Sequence, residues 1–259
     1  MIFIQCDLNS QSLGHRAHVN LLLPERPAPS ATPDGKPLFP VLTLLHGTGG
    51  DESDWLRLTS IERYAEPYGL ALVLPAAGNS FYADMVHGER VWTYVSEELP
   101  ELLRGLYPLS ARREDNFVAG LSMGGYGAFK LALRHPERFA AAASLSGALD
   151  IVAEIARDAL PEVRFADIFA QPDQVQGSDD DLFALLERQA AQATALPRLY
   201  LACGAEDFLY AQSVRFRDAA RTLGVNLTYE EAPGGHTWEF WDALVQRALR
   251  WLPLPGRAS

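Results

Sequence analysis

The residues of this chain that could do chemistry centre on Gly120-Leu121-Ser122-Met123-Gly124-Gly125. A serine with a glycine two positions to either side fits the G-x-S-x-G nucleophile elbow, which presents a hydroxyl at the tip of a sharp strand-to-helix turn. Asn116 to Ala119 read as a short buried strand. Tyr126 to Leu133 read as a helix that stops at His135-Pro136, so the motif has the context it requires. The turn forces the serine backbone into a strained conformation, and side chains at 120 and 124 would collide there, which explains the glycines. The helix that follows points its first N–H groups at any negative charge forming beside Ser122.

A serine hydroxyl needs a base, and the base needs a carboxylate to orient it. Two late loops follow predicted strands: Gly204-Ala205-Glu206-Asp207 and Pro233-Gly234-Gly235-His236. Of the six histidines, only His236 follows the last predicted strand and sits in a glycine loop. His15, His18, His46, His87 and His135 read as structural, with His46 placed to hydrogen-bond locally. Asp207 is preferred to its neighbour Glu206 because it lies further into the loop and its shorter arm suits a fixed contact. Asp150 and Asp242 are weaker choices. The chain order Ser122, Asp207, His236 is that of α/β-hydrolases. An earlier strand, Val41 to Leu45, runs into His46-Gly47-Thr48-Gly49-Gly50, where serine hydrolases place an oxyanion hole. The expected donors are the backbone N–H groups of Thr48 and Met123.

The elements that must position these groups alternate. Strands are predicted at Ala17–Leu23, Val41–Leu45, Leu70–Leu74, Asn116–Ala119, Ala140–Leu145, Arg198–Cys203 and Val225–Tyr229. Helices are predicted at Trp55–Tyr68, Val91–Tyr107 with a break at Pro100, Val214–Leu223 and Thr237–Leu252. A Pro-rich surface loop spans Pro24 to Pro40, with Asp34-Gly35 as a turn. Such alternation implies an α/β fold with a mostly parallel central sheet and helices on both faces. A small helical insertion, about 148–196, precedes the acid-bearing strand. Asp179-Asp180-Asp181 reads as a helix start and not as a metal site. Ligands in such sheets bind at the carboxyl ends of the strands. Bulky residues on those rim loops form the expected substrate pocket: Trp55, Phe81, Tyr82, Tyr126, Phe208 and Trp238.

At 259 residues and 48% hydrophobic content, the chain suits a single α/β-hydrolase domain over 1–259. A net charge of −11 excludes the basic footprint that nucleic acid needs. No apolar run reaches the roughly 18 residues of a membrane span. The N-terminus lacks a basic, apolar leader, which points to the cytoplasm. The two cysteines, Cys6 and Cys203, are too few for a disulfide framework or a metal cluster.

Four stretches together carry a family resemblance: His46-Gly47, Gly120 to Gly127, Gly204 to Tyr210, and Gly235-His236-Thr237-Trp238-Glu239-Phe240-Trp241. The chain resembles the esterase D group of α/β-hydrolases, and within it the bacterial tributyrin esterases, from about Val41 to Leu252. The resemblance implies a carboxylesterase acting on short-chain acyl esters, acetyl to butyryl. It implies Ser122, Asp207 and His236 as the triad, Thr48 and Met123 as oxyanion donors, no cofactor and no metal. The partner is then a small-molecule ester, with no nucleic acid or membrane; a homo-oligomer is compatible with it. Acyl transfer to an alcohol would use the same residues. S-formylglutathione hydrolases usually have a cysteine-containing loop just after the oxyanion position, where this chain reads Thr48-Gly49-Gly50-Asp51. Intact Ser122, Asp207 and His236 argue against an inactive hydrolase fold that only binds.

Overall fold

The computed structural model describes residues 1–254 apart from 26–29, 32–36, 158–159, 161–162, 170–171 and 193–194. Its strands are β1 (Ile2–Asn9), β2 (Arg16–Leu23), β3 (Ser30–Ala31), β4 (Pro37–Leu38), β5 (Val41–Leu45), β6 (Ala71–Pro75), β7 (Asn116–Leu121), β8 (Ala141–Leu145), β9 (Arg198–Gly204) and β10 (Leu227–Ala232). Eight of them form one sheet in the order β1-β2-β6-β5-β7-β8-β9-β10. β1 and β2 are antiparallel to their neighbours, and from β6 to β10 every pair is parallel. This is the α/β-hydrolase architecture expected from the strand–helix alternation. The expected Asp34-Gly35 turn lies outside the described residues.

The helices are α1 (Asp54–Leu58), α2 (Ile61–Ala65), α3 (Val91–Thr93), α4 (Leu99–Leu106), α5 (Met123–Arg134), α6 (Ile151–Arg157), α7 (Phe165–Ile168), α8 (Pro172–Val175), α9 (Leu182–Ala191), α10 (Tyr210–Thr222) and α11 (Trp238–Trp251). Successive strand residues point to opposite faces, so the buried runs feed two cores. Leu21, Val73 and Val118 join Leu99, Leu131 and Phe216 on one face. Leu22, Leu72 and Phe117 join Trp55, Ile61 and Leu244 on the other. Among the described residues no helix is long and apolar enough to cross a membrane.

Several local expectations change. The single helix expected from Trp55 to Tyr68 is broken: Thr59 is extended, and its Oγ1 accepts the N–H of Ile61 at 3.1 Å, which starts α2 afresh. Hydroxyl side chains compete with the helix backbone in this way. The break expected at Pro100 is prepared upstream by a wide π turn, Tyr94–Glu98, so that Pro100 falls in the first turn of α4, where no N–H is missed. The last strand starts two residues later than expected, because pairing with β9, from Leu227↔Leu199 to Ala232↔Gly204, decides its register. β1 carries only one buried residue, Cys6, and its exposed edge left little hydrophobic pattern to read. α6 to α9 occupy the segment expected to be a helical insertion, and Asp181 caps α9 by accepting from the N–H groups of Phe183 and Ala184.

The parallel strands all end on one rim. After β6 the chain crosses back past β5 to lay down β7, so strand order reverses between β5 and β7. The loops leaving those two strands part there and leave a crevice. His46 to Gly50 leave β5 and Ser122 leaves β7, so the two glycine motifs flank it.

Candidate active site

Ser122 sits at the turn between β7 and α5 with φ 53° and ψ −120°, a region that a residue with a Cβ rarely enters. The glycines make the turn sterically possible. A Cβ on Gly120 would lie 2.3 Å from the Gly124 carbonyl oxygen, and one on Gly124 would lie 2.4 Å from that of Leu45. The Ser122 N–H donates to Leu145 O at 3.0 Å, and its carbonyl accepts from Tyr126 and Ala148 at 3.1 Å each. The strained residue is therefore held from both sides.

His236 reaches the serine from the loop after β10. Its Nε2 lies 3.0 Å from Ser122 Oγ, and its Nδ1 lies 3.1 and 2.9 Å from the two carboxylate oxygens of Asp207. Burial pushes the Asp207 carboxyl up, but the hydrogen bond and charge of His236 and the N–H of Leu209 outweigh it and hold it below its usual value. An ionised carboxylate only accepts, so Nδ1 carries the proton and Nε2 is left to accept from the serine. Phe208 and Trp241 flank the imidazole, with ring centroids 4.5 and 4.7 Å away. Glu206 does different work: it accepts the Gly234 N–H and ties the two loops together. Asp150 pairs with Arg215, and Asp242 accepts from Tyr64 and Ser60, so neither faces the imidazole.

The glycine loop after β5 is anchored around Thr48. The Gly49 N–H donates to Asn79 Oδ1 at 2.7 Å and the Gly50 N–H to Gly47 O at 3.2 Å. Among the described residues, the backbone N–H groups of Thr48 and Met123 donate to nothing. His46 is buried beneath this loop. Its Nε2 accepts the Ala77 N–H at 3.0 Å, so its proton is on Nδ1, which donates to Gly47 O at 2.8 Å. Burial lowers its pKa below the ordinary imidazole value, in keeping with a neutral ring. Tyr82 donates its hydroxyl to His46 O at 2.9 Å, and the buried Lys130 ammonium donates to Tyr82 O at 2.9 Å and to Asp180. A chain of buried bonds thus runs from α5 to the glycine loop. Tyr82, a member of that chain, and Phe81 before it stand at positive φ, 49° and 48°.

A cleft of about 540 Å³ opens over Ser122 and His236, within the range typical of small-molecule sites. Of the six bulky residues expected to line it, Phe81, Phe208 and Trp238 do. Trp55, Tyr82 and Tyr126 do not, which corrects that expectation. Each is buried below the rim with its polar atom on a backbone carbonyl: Trp55 Nε1 on Leu45, Tyr82 on His46, and Tyr126 on Asp180. Buried Tyr and Trp need such partners, and rim loops supply them. Sequence reasoning missed Asp54, Leu58, Glu154, Leu160 and Trp241, which also line the cleft. Trp241 lies one helical turn past Thr237 and could have been read from the closing helix. Glu154 and Leu160 carry no such signal. Among the described residues, no group of three or more His, Cys, Asp or Glu side chains is placed to hold a metal ion.

A serine hydrogen-bonded to an imidazole that a buried carboxylate orients can hand over its proton as it attacks a carbonyl. Fold and site together define a serine hydrolase of the α/β-hydrolase type. The family model described as "Putative esterase" matches residues 10–252. An acetyl esterase of Caldicellulosiruptor saccharolyticus is 34% identical over 219 residues, 82% of each protein. The substrate-bound structure of FphF, fluorophosphonate-binding serine hydrolase F of Staphylococcus aureus, is 32% identical with a TM-score of 0.90, covering 97% of this chain and 98% of that one. The S-formylglutathione hydrolase FrmB of S. aureus, as apoenzyme, is 33% identical with a TM-score of 0.86 over the same shares. The chain belongs to this esterase family and is a serine carboxylesterase.

Proposed function

We propose that this enzyme hydrolyses short-chain acyl esters, acetyl to butyryl, through an acyl-serine intermediate, and that it is of the esterase D type. The observation that carries the reading is the bonded series Ser122–His236–Asp207 at the floor of the cleft. His236 takes the Ser122 proton as the oxygen attacks the ester carbonyl. Asp207 holds the imidazole in its tautomer and stabilises the cation. The Thr48 and Met123 N–H groups receive the oxyanion, with the N-terminus of α5 adding its dipole. His236 then protonates the leaving alcohol, and water repeats the sequence on the acyl-enzyme.

The short acyl range is supported by a bounded cleft in which Phe81, Leu121 and Leu209 are fixed in the core. Each methylene that fits gains up to about 0.8 kcal/mol from burial. Once the space is filled, further carbons must displace packed side chains at about 1–3 kcal/mol. A nitrophenyl ester series from two to twelve carbons should therefore peak in kcat/KM by butyryl and fall by octanoyl. A kcat/KM still climbing past eight carbons would mean an open groove. The likeness to FrmB favours a second reading, thioester hydrolysis of S-formylglutathione. Against it stands the cleft itself, which presents the carboxyls of Asp54 and Glu154 to a substrate that is itself a polycarboxylate. Assaying S-formylglutathione beside nitrophenyl acetate separates the two.

A further inference from the structure

Glu154 is a carboxyl in an unusual place. It lies on α6, the first helix after β8, is 97% buried by its 3% exposure, and still lines the cleft over Ser122. The cleft lining it shares includes the apolar Ala148, Leu160, Leu209 and Phe81 as well as Asp54, Ser122 and His236.

Its orientation is set from behind. The buried Gln212 of α10 uses its amide oxygen to accept the Asp150 N–H at 2.9 Å, so its Nε2 must face Glu154, and it donates to Oε1. That leaves Oε2. Among the described residues no donor meets Oε2, and no Lys or Arg forms an ion pair with Glu154. An oxygen that meets no protein donor is left to whatever fills the space beside it, solvent or substrate. Glu154 lines the cleft, so that space is the cleft.

We propose that Glu154 is a specificity-determining residue whose Oε2 binds a hydroxyl of the substrate, so that the enzyme prefers short-chain esters carrying a hydroxyl near the scissile bond. A hydroxyl suits the site better than an ammonium. Burial raises the Glu154 carboxyl above its usual range in spite of the Gln212 bond and the charge of Arg157. A hydroxyl pairs with either form, donating to the carboxylate or accepting from the acid, whereas an ammonium pairs only with the ion. The hydroxyl can sit on the alcohol or on the acyl part, and matched substrates distinguish the two. This inference rests on the reading of Ser122 as nucleophile.

The test compares kcat/KM for two matched pairs: glyceryl monoacetate against propyl acetate, and nitrophenyl 3-hydroxybutyrate against nitrophenyl butyrate. The hydroxyl-to-alkyl ratio is measured in the wild type, in Glu154→Leu and in Glu154→Gln. Dividing the wild-type ratio by a variant's ratio cancels the intrinsic reactivity of the esters. In Glu154→Leu the ratio should fall about tenfold or more for at least one pair, because a buried hydroxyl loses its hydrogen-bond partner. Glu154→Gln keeps an oxygen for Gln212 and should lower the same ratio by less. It decides the matter if the leucine variant does not fold. Which pair responds tells on which side the hydroxyl sits. Ratios equal to wild type in both pairs overturn the proposal. A fluorophosphonate probe is applied alongside: failure to label wild-type Ser122 defeats the nucleophile reading itself, a different result from unchanged ratios.

Discussion

The backbones of α5 and β5 approach closely at the elbow, and Gly124→Ala tests that contact. A Cβ at 124 would meet Leu45 O at 2.4 Å and His46 O at 2.6 Å, where ordinary contact begins near 3.4 Å. About 1 Å of overlap must therefore be relieved. No flexible side chain can give way, since both atoms belong to the strand end that carries the glycine loop. α5 and its Met123 N–H must back away from the Thr48 N–H, which separates the two proposed oxyanion donors. Overpacking of this kind costs about 1–3 kcal/mol in stability, or roughly 2–12 °C in Tm for a chain this size. A misplacement near 1 Å costs on the order of 10²-fold in rate. Gly105→Ala is the control, because a Cβ there meets nothing within 4 Å on the exposed face of α4; it should hold or slightly raise Tm. The assay is kcat on nitrophenyl acetate with thermal melts of both variants. A folded Gly124→Ala enzyme with wild-type kcat would show that the elbow tolerates the shift and refute the steric argument.

Ser122→Ala should lower kcat by roughly 10⁴-fold or more and abolish fluorophosphonate labelling while the fold persists; near-normal turnover would sink the mechanism. Thr48→Ala should keep most activity, whereas Thr48→Pro removes the N–H and should cost on the order of 10²–10³ in kcat, with folding checked by melting. Full activity in folded Thr48→Pro would reject that donor. The folded-state pKa of His46 is depressed, so the unfolded chain binds the proton first on acidification. Its contribution to stability is complete above the ordinary imidazole value of about 6.5 and is lost as pH falls through the lower folded value. Tm measured from pH 8 to 5 should therefore drop more steeply for the wild type than for His46→Gln; parallel curves would mean that His46 does not titrate against folding.

What the sequence by itself determined is local. The elbow glycines, the buried strands and the order Ser122, Asp207, His236 are legible because a strained turn admits few residues and parallel strands buried on both faces need continuous apolar runs. The segments in which they lie supply that information without reference to the rest of the chain. The weakly patterned edge strand β1 and the late start of β10 were not legible, since pairing partners, and not composition, set them. Tertiary structure alone decided who faces the cleft. Trp55, Tyr82 and Tyr126 belong to the same rim segments as Phe81 and Trp238, yet their polar atoms find carbonyls below the rim and draw the rings inward. Glu154 comes to the cleft because Gln212, 58 positions away, grips it from another helix. A residue's neighbours along the chain set its backbone conformation, but its surroundings come from segments brought together only when the sheet closes over its two cores.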